Sequence, residues 1–135
     1  MVPVAPARHQ MLGARGEDAA AQWLIARGLV LLARNIRRGR DEADLVFKDP
    51  TSNLLIIMEV KTRTHSRAWP EARVDRAKSA ALLRLAHRAL IETPQCSGVR
   101  IDVLSVNLPR LGDAVFHWFR DAVPVPVAWS HSRGR

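Results

Sequence analysis

The chain has a single cysteine, Cys96, in 135 residues, so an internal disulfide is excluded. Cys96 lies in Thr93-Pro94-Gln95-Cys96-Ser97-Gly98, a turn-like stretch with no neighbouring base, which is a poor setting for a nucleophile. The five histidines are scattered at 9, 65, 87, 117 and 131, so no Cys/His group suggests a zinc site. No apolar run approaches the length that crosses a bilayer. The opening Val2-Pro3-Val4-Ala5-Pro6-Ala7 is broken by proline and lacks the basic start of an export signal, so no membrane association is expected and the cytoplasm is the expected location. Lysine is scarce as well. Of 21 basic residues only Lys48, Lys61 and Lys78 are lysines, so arginine carries the general electrostatics and each lysine invites its own explanation.

What is abundant is positive charge. The 21 Lys and Arg residues against 13 Asp and Glu give a net charge of +8, a balance that favours polyanions, nucleic acid first among them. Hydrophobic residues make up 47%, enough for a globular core, and the length suits one domain. The expected organisation is a loose tail over 1–10, a folded domain over 11–124 and a second loose tail over 125–135.

Within that domain, Gly16-Glu17-Asp18 opens a helix that ends at Gly28, with Ala20, Ala21 and Leu24 on one face and Glu17 one turn ahead of them. Leu29–Leu32 reads as a strand that fades into a basic turn over Arg34–Arg40. Glu42–Lys48 and Leu54–Thr62 read as two strands joined by the turn Asp49-Pro50-Thr51-Ser52-Asn53. The second of these is apolar enough to be central. A long amphipathic helix follows from about Val74 to Ile91, then strands over Val99–Val106 and Ala114–Phe119.

The chemistry concentrates on the hairpin. Glu59 and Lys61 stand two residues apart on a strand and point to one face. About a turn centred between Thr51 and Ser52, Asp44 falls opposite Glu59, with Cβ atoms roughly 5 Å apart. Two carboxylates at that spacing repel unless a cation joins them. Together with a lysine they can hold Mg²⁺ or Mn²⁺ and activate a water against a phosphodiester. Glu17 is either a complement to its own helix dipole or a third acid over the same site. Arg37, Arg38, Arg40, Arg63, Arg67 and Lys78 are candidates for nucleic-acid phosphates. His65 and Trp69 share the loop with Arg67, and Trp69 reads as a plug against the core.

Taken in order, Gly16-Glu17, Gly28, Asn35, Arg37, Gly39, Glu42-Ala43-Asp44-Leu45, Glu59-Val60-Lys61-Thr62-Arg63, Pro70, Val74, Lys78 and Arg100-Ile101-Asp102-Val103 resemble the pattern of the bacterial YraN family, over roughly residues 13 to 122. That family in turn resembles the restriction-endonuclease-like PD-(D/E)xK nucleases and is similar to archaeal Holliday-junction resolvases. The resemblance implies an α/β fold, a single domain with an αβββαβ core and a mixed sheet between helices. It also implies Asp44 and Glu59 as metal ligands, Lys61 as the catalytic lysine, Glu17 as the helix-borne acid, and Glu42 as an acid sharing the face of Asp44. The expected activity is Mg²⁺-dependent hydrolysis of structured or branched DNA, in repair or recombination, with DNA ahead of RNA. A homodimer would supply the two sites that cutting both strands requires. Two other readings stand beside it. One is a nucleic-acid-binding module of the same fold with little or no turnover. The other is a structural adaptor in which Asp44, Glu59 and Lys61 form only an ion network.

Overall fold

The computed structural model describes residues 8–64 and 72–130. The elements run α1 (Arg8–Ala26), β1 (Val30–Arg38), β2 (Asp41–Asp49), β3 (Leu54–Arg63), α2 (Arg76–Glu92), β4 (Gly98–Asn107), β5 (Val115–Phe119) and a short α3 (Val127–Ser130). The α/β fold with an αβββαβ core is as expected, with β5 and α3 appended. One mixed sheet has the order β1-β2-β3-β4-β5. Every neighbouring pair is antiparallel except β3 and β4, which α2 joins as a parallel crossover.

Two apolar layers sandwich the sheet. Ala20, Ala21 and Leu24 of α1 pack on Leu45, Phe47, Ile56 and Met58. Leu82, Leu85, Ala86 and Leu90 of α2 pack on Leu55, Ile57, Val99 and Ile101 on the other side. The central strand therefore buries four consecutive residues, Leu55 to Met58, because both of its faces are covered. Cys96 is buried in the α2 layer as a small apolar group.

Gly28 ends α1 at φ 96, where its N–H donates to Ile25 O and the Leu29 N–H donates to Leu24 O. Trp23 stacks on Phe116 with ring centroids 4.9 Å apart and meets Trp118 edge-on, which ties α1 to β5. Asp102, fully buried on β4, accepts from the guanidinium of Arg100 through both of its oxygens, from Trp118 Nε1 at 2.8 Å and from the Asp121 N–H at 2.9 Å. It is satisfied and structural, fastening β5 to β4.

Three boundaries differ from expectation. The first helix starts at Arg8, inside the stretch read as tail, since no capping residue marks its entry and Gly13 does not break it. The basic segment Arg34–Arg38 is strand, with only Gly39 and Arg40 in the turn. An edge strand tolerates such polarity because one side of it faces water. The stretch read as C-terminal tail contains α3, whose Trp129 stacks on His87 at 4.6 Å. The loop holding His65, Arg67, Trp69 and Pro70 lies outside the described residues.

Candidate metal centre

The β2–β3 ladder runs from Asp49↔Leu54 to Leu45↔Met58, the register anticipated from the turn. Its next pair is Asp44 and Glu59, and there the strands part. The Val60 N–H donates to Asp44 Oδ2 at 2.7 Å, so a side chain takes the place of a backbone acceptor at the fork.

The reason lies in β1. Ala33 and Ile36, three residues apart, both pack on the α2 layer, and so do their partners Val46 and Ala43. In a regular strand, positions three apart face opposite sides. Both strands therefore turn over between the pairs Arg34↔Leu45 and Ile36↔Ala43, where Asn35 holds φ 50, a conformation that asparagine tolerates better than most residues. The reversal takes Asp44 out of simple alternation and aims its carboxylate at β3. Glu42 consequently does not accompany it. Glu42 is exposed and pairs with Arg37 at 3.2 Å, which corrects the expectation that it shares the face of Asp44.

Glu17 comes to the fork from α1. Gly16 lets it, because a Cβ at Gly16 would lie 1.9 Å from Thr62 Oγ1, so only glycine allows the helix this close to β3. Burial first, and then the nearby Asp44 carboxylate, raise the pKa of Glu17. Glu59 has the same neighbour in Asp44. Burial first, and then Asp44, push its pKa up to about 8, against the opposing pull of Lys78. Glu17, Asp44 and Glu59 are thus linked through Asp44.

Lys61 stands two residues beyond Glu59 on β3, half-buried, its backbone in register with Ser105. Lys78 was expected on phosphates. Instead it reaches the acids from α2, with Nζ 3.4 Å from Glu59 Oε2 and donating to Glu42 O at 2.7 Å. Sequence reasoning named Lys78 as a phosphate contact and missed its partner, because helix periodicity does not say which strand end a long side chain meets.

The arginines surround this point unevenly. Arg37, Arg38 and Arg40 are exposed at the β1–β2 end, and Arg38 lines an open groove of about 660 Å³ with Arg84 and Arg88 of α2. Arg34 pairs with Asp18 beside Glu17. Arg63 closes β3 opposite Asn107, and Arg67 lies outside the described residues.

The donor set suits a hard divalent cation, being carboxylate oxygens short of positive charge. It is not a finished cage. Among the described residues no three acid, histidine or cysteine side chains stand together at ligand spacing. One oxygen of Asp44 is engaged by the Val60 N–H and one of Glu59 by Lys78.

The model of the uncharacterised protein family UPF0102 matches residues 16–106, the span that carries Glu17, Asp44, Glu59, Lys61 and Lys78. The chain belongs to that family. It is 45% identical to a UPF0102 protein of Frankia casuarinae over 126 residues, covering 91% of this chain and 93% of that one. It is 41% identical to one of Nocardioides sp. over 113 residues (82% and 90%) and 33% identical to one of Methylococcus capsulatus over 121 residues (89% and 96%). Among solved structures, SfsA of Pyrococcus furiosus in complex with Ca²⁺ is similar at 15% identity and a TM-score of 0.40, over 83% of this chain and 63% of that chain. No helix among the described residues is long and apolar enough to cross a membrane.

Proposed function

We propose that this protein is a metal-dependent nuclease acting on structured or branched DNA. The observation that carries the reading is the meeting of Glu17, Asp44 and Glu59 from α1, β2 and β3 at the fork, with Lys61 two residues along. The three acids would hold Mg²⁺ or Mn²⁺, which when bound supplies an acidified water and offsets charge on phosphorus. Lys61 orients that water or neutralises the developing negative charge. Arg37, Arg38, Arg40 and Arg63 hold phosphates on either side, and Arg67, outside the described residues, belongs to the same proposal. A homodimer belongs to the proposal, since cutting two strands takes two sites. The likeness to PD-(D/E)xK nucleases supports the same reading through the observed αβββαβ order.

The second reading, a binding module with little turnover, is favoured by one observation. The acids are engaged with the Val60 N–H and Lys78 rather than set at ligand spacing. The test is incubation with branched, single-stranded and duplex DNA in Mg²⁺ or Mn²⁺, beside Asp44→Asn. Cleavage of branched DNA by the unaltered chain alone supports the nuclease. Binding without cleavage in either metal supports the module.

A further inference from the structure

Lys78 stands in the first turn of α2, three residues after the N-cap Asp75, whose side chain accepts from the Lys78 N–H. A cation there faces the positive end of the helix dipole, which the Asp75 carboxylate at the N-cap only partly offsets, since the first turn itself contains no acid. The helix itself gives Lys78 little reason to be there, and its role lies in what its ammonium meets. It meets Glu59, whose side chain is only 13% exposed, and the backbone carbonyl of Glu42. One contact is to β3 and the other to β2, so the ammonium bridges the two strands where they part. Its own side chain is 28% exposed, which limits the screening of its charge by water.

We propose that Lys78 is a tethered counter-ion. It holds the acid group together in the metal-free protein and must yield Glu59 before a divalent cation can take it. The inference rests on the metal-dependent reading above. It explains why three acids gather without forming a ligand cage, since the lysine engages an oxygen that the ion would use. Metal affinity is then set partly by a residue that is not a ligand. Lys78 is a positioning residue, and its effect is Coulombic.

The experiment titrates Mn²⁺ into the full chain by calorimetry and measures melting temperature with and without Mn²⁺. It compares wild type, Lys78→Gln, Lys78→Ala and Lys78→Arg. Both neutral variants are expected to bind Mn²⁺ about tenfold more tightly, because a like charge a few ångströms away is gone. They should melt lower than wild type without metal and gain more than wild type when Mn²⁺ is added. Lys78→Arg keeps the charge and should keep wild-type affinity. Unchanged or weaker Mn²⁺ binding in the neutral variants overturns the proposal and leaves the nuclease reading standing. Mn²⁺ binding by none of the four proteins overturns both. Binding by the neutral variants alone supports the proposal in its strongest form.

Discussion

Gly16→Ala should destabilise the protein, although alanine favours helix over glycine by about 1 kcal/mol. A Cβ at Gly16 would lie 1.9 Å from Thr62 Oγ1, 2.7 Å from Cγ2 and 2.8 Å from Cβ, none of them contacts that real Cβ atoms tolerate. Helix or strand must shift, and overpacking of this kind costs about 1–3 kcal/mol. The balance is a loss of up to about 2 kcal/mol, or several degrees of melting temperature for a domain of this size. Gly13 supplies the control on the same helix. Nothing lies within 4 Å of a Cβ there, so Gly13→Ala should gain up to about 1 kcal/mol from propensity alone. Thr62→Ala, which removes both of the nearer atoms, should recover part of the loss when combined with Gly16→Ala. Because Glu17 is the next residue, Gly16→Ala should also weaken Mn²⁺ binding by more than its stability loss explains. Differential scanning calorimetry of the four proteins decides the matter. If Gly16→Ala melts at or above wild type, the close approach of α1 to β3 is not what fixes Glu17.

Four further outcomes are expected. Asp44→Asn should abolish cleavage and weaken Mn²⁺ binding in calorimetry while sparing DNA affinity, since asparagine still accepts from the Val60 N–H and the arginines are untouched. Lys61→Ala should leave Mn²⁺ binding largely intact and depress turnover, read in a single-turnover cleavage assay. The folded-state pKa of Glu59, about 8, lies above the ordinary carboxyl value of 4.5, so the proton favours folding. That contribution is complete below the ordinary value and is lost as pH rises through about 8. The metal-free melting temperature should therefore fall across this window, and Glu59→Gln should flatten the fall. Affinity for duplex DNA should drop with salt by a log–log slope of about 0.9 per neutralised phosphate, measured by fluorescence anisotropy; a flat response would remove nucleic acid as the partner.

The site was legible where it depended on counting. The Asp49–Asn53 turn fixes the register that makes Asp44 and Glu59 neighbours, and helical spacing puts Glu17 one turn from Ala20 and Ala21. It was not legible where it depended on a single backbone angle. Nothing in the alternation of β1 and β2 announces that Asn35 takes φ 50 and turns both strands over, yet that turn separates Glu42 from Asp44. The strand character of Arg34–Arg38 was hidden because edge strands do not need the apolar pattern that marks buried ones. The role of Lys78 was hidden because it arises from a crossover that brings α2 back over two strands distant in sequence. The small residue at 16, by contrast, reads as an ordinary helix glycine until Thr62 is seen beneath it.

Asp102 has a consequence for what the molecule must avoid. β5 is the last strand of the sheet and only five residues long, and the carboxylate of Asp102 holds its Trp118 and the Asp121 N–H that follows. If that latch opens, β4 becomes the edge. The residues of β4 from Val103 to Val106 are buried, and unpairing would present their backbone donors and acceptors as a bare template for another chain. Asp102→Asn would retain the acceptor for one or two partners but lose the charge that holds Arg100. Its expected cost is therefore aggregation through β4 on warming.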